Sequence, residues 1–357
     1  MHKDDQMTPK QRASALKKGE AVDRYPISLF FGAPGHSLMG WDKYQEGASP
    51  RNIAAVRRKV YEVFGNDNAA VGYGLHGMAI ALGAKMSDDP HVPSAILEHP
   101  LKDIHDQSML HLETFTLQEN AGIRTCFEAA RILRDEIGDE IDVCMDFPGP
   151  ITCASAIAGT PALLKGMLKS PTDIHQLLYF ITTALIQMAE PFIKDGFTIT
   201  VSDPIASGSI LSKKHFRSFV LPYSQRFIYS CMKLGAPPIT GHICGDTTNL
   251  LEDLVECGYH ALSLDNRVDL AVAKEKIGHL VGLIGNVDPV EKLYAGTTED
   301  VRAAVRECMR KAWDSPKGYT IGVGCDSVYG VPLENVFAYM NEARKCAQYP
   351  LNPENFA

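Results

Sequence analysis

An α/β fold of the (β/α)8 barrel type is predicted by two features of this 357-residue chain. Eight short apolar runs bounded by Gly, Asp, Asn or Pro alternate with helical stretches of about 10 to 20 residues, the pattern of parallel strands joined by right-handed crossovers. The competing open nucleotide-binding sheet lacks its fingerprint. No Gly-x-Gly-x-x-Gly follows an apolar run, and no Gly-x-x-x-x-Gly-Lys-Ser/Thr occurs. Length alone allows about two domains at roughly 150 residues each. With no linker, low-complexity stretch or internal repeat, residues 1–357 read as one barrel domain with a helical N-terminal extension over 1–25.

The extension opens with Thr8-Pro9-Lys10-Gln11, which supplies a capping hydroxyl, a proline at the first helical position and a reciprocal capping amide. A short amphipathic helix over 8–19 follows. The first strand is Ile27–Phe31, ended by Gly32-Ala33-Pro34-Gly35. The remaining strands are Ala69–Tyr73, Ile141–Phe147, Phe197–Val201, Pro238–Ile243, Ala261–Asp265, Val281–Gly285 and Tyr319–Val323. Between them the spacing predicts helices Ile123–Ile137, Ile174–Lys194, Lys213–Leu234, Thr247–Cys257 and Thr298–Ser315, with a long excursion near residues 75–140.

Composition narrows the class of function. The chain is 45% hydrophobic and 22% charged, enough for a sizeable core. Thirty-five Lys and Arg against 43 Asp and Glu give a net charge of -8 with no basic cluster, which argues against a nucleic-acid partner. No apolar stretch reaches the ~18 residues of a membrane span. The polar start Met1 to Gln6 leads into no apolar run, and nine cysteines lie scattered from Cys126 to Cys346 without disulfide-framework spacing. These features fit a cytoplasmic chain, and they leave homo-oligomerisation open.

In a barrel of this kind chemistry gathers at the C-terminal ends of the strands. There lie His242-Ile243-Cys244 before Gly245, and Cys325 in Gly324-Cys325-Asp326. Residues two apart on a strand share a face, so His242 and Cys244 point one way. With Cys325 they make a Cys₂His set, a catalytic zinc arrangement that leaves the fourth position open. Composition alone yields about 0.3 His-x-Cys pairs, so it is the placement that carries the argument, against the alternative of cysteines as small buried hydrophobes. Asp203, Asp265 and Asp288 are strand-end carboxylates that suit polar substrate groups, or equally helix caps. Asn286 stands at the end of the seventh strand. His36 lies on the first mouth loop, and His76, Tyr73 and Tyr329 are lesser candidates. Asp103-Ile104-His105-Asp106-Gln107-Ser108 begins like the Asp-x-His-x-x-Gly run of base-off cobalamin binding, but Ser108 replaces Gly and the chain contains no Gly-Gly. It carries no corrinoid domain of its own.

These residues resemble the uroporphyrinogen decarboxylase superfamily, and within it the zinc-dependent methylcobamide:coenzyme M methyltransferases. The resemblance runs from Met7-Thr8-Pro9-Lys10-Gln11-Arg12 and Val22-Asp23-Arg24-Tyr25-Pro26 through Pro148-Gly149-Pro150-Ile151-Thr152, Asp203-Pro204 and Leu221-Pro222-Tyr223. It continues to Gly241-His242-Ile243-Cys244-Gly245, Gly285-Asn286-Val287-Asp288-Pro289 and Gly324-Cys325. The decarboxylase branch carries an N-terminal Arg-Gln-Ala-Gly-Arg run that grips porphyrinogen carboxylates. Here the segment reads Phe30-Phe31-Gly32-Ala33-Pro34-Gly35-His36, without arginine.

The resemblance therefore implies a Zn²⁺ held by His242, Cys244 and Cys325, with His36, Asp203, Asp265 and Asn286 around the bound cofactor and substrate. It implies a methylcorrinoid supplied by a separate corrinoid protein and a thiol acceptor such as coenzyme M. Zinc would deprotonate the thiol, whose sulfur would take the methyl group from methyl-Co(III) and release Co(I). Other methyl donors or acceptors (methoxy compounds, methylamines, folate) are alternatives, and uroporphyrinogen decarboxylation is a more distant one.

Overall fold

The computed structural model describes residues 2–30, 32–89 and 94–357. The fold is α/β, of the (β/α)8 barrel class, preceded by a short helix. Among the described residues nine strands occur: β1 Ala69–Gly72, β2 Lys85–Met86, β3 Ile96–Glu98, β4 Val143–Pro148, β5 Thr198–Ser202, β6 Thr240–Ile243, β7 Ala261–Leu264, β8 Gly282–Val287 and β9 Tyr319–Val323. β2 and β3 form a separate antiparallel hairpin inside the excursion, and the other seven are the parallel strands. The chain divides into two compact units, Met1–Val71 with Ala129–Cys144 and Ala261–Ala357, and Gly72–Glu128 with Met145–His260.

The first unit starts as the capping residues require. Thr8 Oγ1 accepts the Gln11 amide, the Gln11 side chain accepts the Thr8 amide, and helix Pro9–Lys18 closes on Gly19 at φ 72°. This helix buries Arg12 completely. Arg12 donates to Asp23 at 2.8 Å and to Asp67, Arg24 donates to Asp67 and to Asp5 at 2.8 Å, and Arg344 reaches Asp5 at 3.3 Å. Three guanidinium groups thus face three carboxylates, the condition under which buried charge is tolerated. Burial alone would raise the Asp23 carboxyl, but hydrogen bonds from Arg12 and the Met7 and Gln6 amides hold it at about 2.

The first expected strand takes a different form. Ile27 makes a lone parallel bridge with Ile321 of β9, and Ser28 N donates to Ile321 O at 2.9 Å. On its other edge one backbone bond, from Asp67 N to Ile27 O at 2.9 Å, is supplemented by side chains: Asp67 accepts the Ile27 amide at 2.8 Å, and Asn68 both accepts from Leu29 N and donates to Leu29 O. The segment fills the position of the eighth strand without being one, and Phe31 lies outside the described residues. β7, β8 and β9 then pair in parallel with Ser263 beside Ile284, Ile284 beside Thr320 and Val287 beside Val323.

In the second unit β5 and β6 pair in parallel, with Thr200 opposite Thr240 and Ser202 opposite His242. Along β5, Ile199 and Val201 are buried, while Thr198, Thr200 and Ser202 share the opposite, half-buried face. The expected helix over 213–234 is two helices, Lys213–Phe219 and Leu221–Lys233, because Pro222 lacks the amide that a continuous helix needs. The 247–257 helix begins with a 3₁₀ turn, Thr248–Leu250, before Leu251–Glu256. Among the described residues no single helix is long and apolar enough to cross a membrane.

Arg12→Ala, by leaving buried carboxylates uncompensated, should cost about 3–5 kcal/mol of stability in urea unfolding near neutral pH. Because Asp5 and Asp23 are held below the ordinary carboxylate range, the parent should lose stability as pH falls from about 4 towards 2, and the variant should lose less over that interval.

Candidate metal centre

His242 is the penultimate residue of β6, and Cys244 is the first residue beyond it. Both flanking glycines are forced by close approach. A Cβ on Gly241 would lie 2.6 Å from the Tyr259 ring, and Gly245, at φ 78°, would place one 2.5 Å from Ser207 Oγ. Held in this way, Cys244 Sγ lies 3.3 Å from His242 Nε2. The S···N edge of a tetrahedral zinc site, with bonds near 2.3 and 2.0–2.1 Å, is about 3.5 Å, so the imidazole and thiol fit as two ligands of one such ion.

The Asp146 carboxyl lies near enough to the imidazole to feel its charge. Ser202, opposite His242, donates its hydroxyl to Asp146 Oδ1 at 3.1 Å, and Thr200 donates to the same oxygen at 2.8 Å. Burial raises the Asp146 pKa, while these hydroxyls and the nearby His242 pull it down. A carboxylate near a metal-binding histidine fixes the ring and raises its basicity. The sequence reading gave Asp146 no role and did not single out Thr200 and Ser202. Their signal is the period-2 run of hydroxyl residues from Thr198 to Ser202, inside a strand that should otherwise be apolar.

Asp203 follows β5 and is 1% exposed. Its amide donates to the His242 carbonyl at 2.9 Å, and its Oδ1 accepts the amide and hydroxyl of Thr152 at 3.1 and 2.6 Å. Thr152 opens helix Pro150–Ala158, so this carboxylate caps a helix distant in sequence instead of the turn that follows it. Gly149 makes room, since a Cβ there would lie 2.0 Å from Asp203 Cγ. Burial pushes the Asp203 carboxyl up to about 7, against the Thr152 hydrogen bonds.

The other expected residues belong to the first unit. Cys325 is half-buried, two residues past the end of β9. His36 lies within helix Gly32–Met39, not on a loop, and is 7% exposed. Its Nε2 is bound to Glu46, which also pairs with Arg57 at 2.6 Å, and Tyr329 stacks on the ring with centroids 5.2 Å apart. Asp265 accepts the Arg267 amide at 2.9 Å, and Asn286 donates to the Asp265 and Val268 carbonyls at 3.0 and 2.7 Å, locking the loop after β7. Asp288 caps the turn Pro289–Tyr294 through the Val290 and Glu291 amides. In the second unit Tyr73 is buried, its hydroxyl accepting from Asn120 at 2.9 Å, and His76 is half-buried.

Most other thiols are chemically quiet. Burial pushes Cys231 up to about 12 and Cys308 and Cys346 up to about 11, and it raises Cys153 and Cys257 as well.

Comparison with known proteins agrees with the fold. The profile of the family described as uroporphyrinogen decarboxylase (URO-D) matches residues 8–346. A methylcobamide:CoM methyltransferase of Methanosarcina mazei is 28% identical over 335 residues, covering 92% of this chain and 95% of that protein. A methylated-thiol–coenzyme M methyltransferase of the same organism is 27% identical over 356 residues, covering 97% and 91%. A solved structure of a methyltransferase from Methanosarcina mazei superposes with a TM-score of 0.82 at 25% identity, covering 95% of this chain and 98% of the other.

The buried Asp203 makes a pH prediction. An acid whose folded pKa is raised to about 7 stabilises the fold below its unfolded value near 4, and that stability is lost as pH rises from about 4 to about 7. Asp203→Asn keeps an acceptor for Thr152 and cannot ionise. Its stability relative to the parent should therefore rise on the order of a few kcal/mol across that interval, as measured by urea unfolding. Parallel pH profiles for the two proteins would contradict this.

Proposed function

The chain belongs to the uroporphyrinogen decarboxylase family, and from that premise we propose that it is a zinc-dependent methyltransferase moving a methyl group from a methylated corrinoid, carried by a separate protein, to a small thiol of the coenzyme M type. The enzyme class follows its methyltransferase relatives. The observation that carries the reading is the His242–Cys244 pair, with donor atoms 3.3 Å apart at the end of β6. The reading takes Cys325, half-buried two residues past the end of β9, as the third ligand of a Cys₂His set. Zinc bound there would supply the positive charge that keeps a substrate thiol ionised at neutral pH.

The chain's own residues set the rest. Two cysteine thiolates and one neutral imidazole balance the two charges of the metal, so the substrate sulfur brings net negative charge and keeps its nucleophilicity. Asp146, held by Thr200 and Ser202, orients His242. Asp203 fixes the strand end that carries the pair, and we assign His36, Asp265 and Asn286 as further polar contacts for substrate and cofactor. The unbroken family match over 8–346 supports reading 1–357 as one domain, and nine cysteines without disulfide-framework spacing support a reducing cytoplasm as the place of work.

Metal analysis should find about one zinc per chain in the parent and its loss in Cys244→Ala and Cys325→Ala. Mixed with methylcobalamin and 2-mercaptoethanesulfonate, the parent should generate the Co(I) absorbance and both variants should not. Full methyl transfer by a metal-free protein would overturn the reading, and a panel including other thiols and a folate would identify the acceptor.

A further inference from the structure

The second unit holds a cavity of about 270 Å³ between the turn after β1, the segment after β3 and helix Pro150–Ala158. Leu75, Ile96 and Ile205 supply apolar wall, while His76, His99 and the hydroxyls of Ser155 and Thr160 supply the polar groups. Its size is at the small end for ligand sites, suited to a molecule of a few heavy atoms.

The polar groups define what it takes. Among the described residues no carboxylate lines the cavity. The Thr152 hydroxyl, also in the wall, already donates its hydrogen bond to Asp203. His99 Nδ1 is fixed on the Ala156 carbonyl at 2.8 Å, leaving Nε2 as the ring nitrogen that can meet a ligand. Ser155 Oγ and Thr160 Oγ1 lie 2.7 Å apart, so one donates to the other and one hydroxyl proton remains to be given away. The His76 ring makes no hydrogen bond among the described residues. A cation would find no counter-charge here, and an apolar ligand would leave both imidazoles without partners.

We infer that this cavity binds the oxyanion head of a small organic acid, a sulfonate or carboxylate, through His76, His99 and the Ser155–Thr160 hydroxyl pair. Ile205 and Thr152 in its wall flank Asp203, which bonds the His242 carbonyl, so the cavity adjoins the strand end that carries the proposed metal ligands. The inference rests on the methyltransferase reading in one respect, that the tail of such an acid carries the accepting thiol.

Protonation is coupled to binding. The titratable groups here are His76 from the turn after β1, His99 from the segment after β3 and, behind Thr152, Asp203. Burial and then the neighbouring His99 lower the His76 pKa, whereas a bound anion favours the imidazolium. Affinity should therefore rise as pH falls from about 8 to about 6.

Calorimetric titration of the full chain with ethanesulfonate, which has no thiol to meet zinc, tests the site, with propionate and inorganic sulfate as arms that separate sulfonate, carboxylate and free anion. Ethanesulfonate should bind with proton uptake, read from buffers of different ionisation enthalpy. Binding should weaken about tenfold or more in His76→Gln/His99→Gln, and also in His76→Gln alone, whose ring supports no hydrogen bond of the fold. Unchanged affinity in the variants, absence of proton uptake, or zinc binding at the histidine pair in place of the anion would overturn it. Zinc-free Cys325→Ala should still bind ethanesulfonate, so failure of the metal reading leaves this result standing. Failure here instead leaves zinc content and the KM for thiol unaltered in the histidine variants.

Discussion

The buried carboxylate of Asp203 is the tie on which the working end of the second unit depends. Its amide holds the last turn of β6 through the His242 carbonyl, and its Oδ1 holds the start of helix Pro150–Ala158 through Thr152. Gly149, the residue before that helix, donates to the Ser202 carbonyl at 2.9 Å, so the ends of β4, β5 and β6 are joined within a few residues. Removing a partner from such a cluster exposes a buried polar group to its full desolvation cost, which is why the arrangement is stiff. On one side of this tie stand His242 and Cys244, and on the other lies the cavity lined by His76 and His99. The same burial that encloses this cluster penalises ionisation of the Asp203 carboxyl.

Chemistry separates two of the nine cysteines from five others more clearly than their spacing does. Cys153, Cys231, Cys257, Cys308 and Cys346 are packed where ionisation is penalised, and they serve the fold as small apolar side chains. Cys244 and Cys325 are half-buried beside glycines at strand ends, where a thiolate has room for a partner. In the methyltransferase reading this difference matters because the reaction needs no protein base at the methyl group. It needs an ionised acceptor sulfur, held still.

Much of the fold was legible because its signals are local. Thr8, Pro9 and Gln11 specify a helix start by themselves, and the runs of β1 and of β4 to β9 are short, apolar and punctuated by turn residues, whereas the β2–β3 pair inside the excursion carries no such signal. What was not legible depends on partners far along the chain. Ile27 to Leu29 reads as a strand, yet its edge is satisfied by the side chains of Asp67 and Asn68, which no pattern within the segment reveals. His36 reads as a loop residue at a Gly-Ala-Pro-Gly turn, but it sits in a helix, with its ring paired to Glu46, which Arg57 also holds. The His242–Cys244 pair was visible from two-residue alternation, while Asp146, two strands away, was not. Asp203 looked like an ordinary cap for the turn after it, and caps a helix some fifty residues earlier instead.

The central claim is that a thiol substrate meets zinc bound by two cysteines and one histidine. Zinc-edge X-ray absorption on the purified protein, recorded with and without 2-mercaptoethanesulfonate, tests it most directly. The account predicts about two sulfur neighbours near 2.3 Å without thiol and about three with it. A sulfur count that does not change on adding thiol, or a metal surrounded by oxygen and nitrogen only, would contradict it.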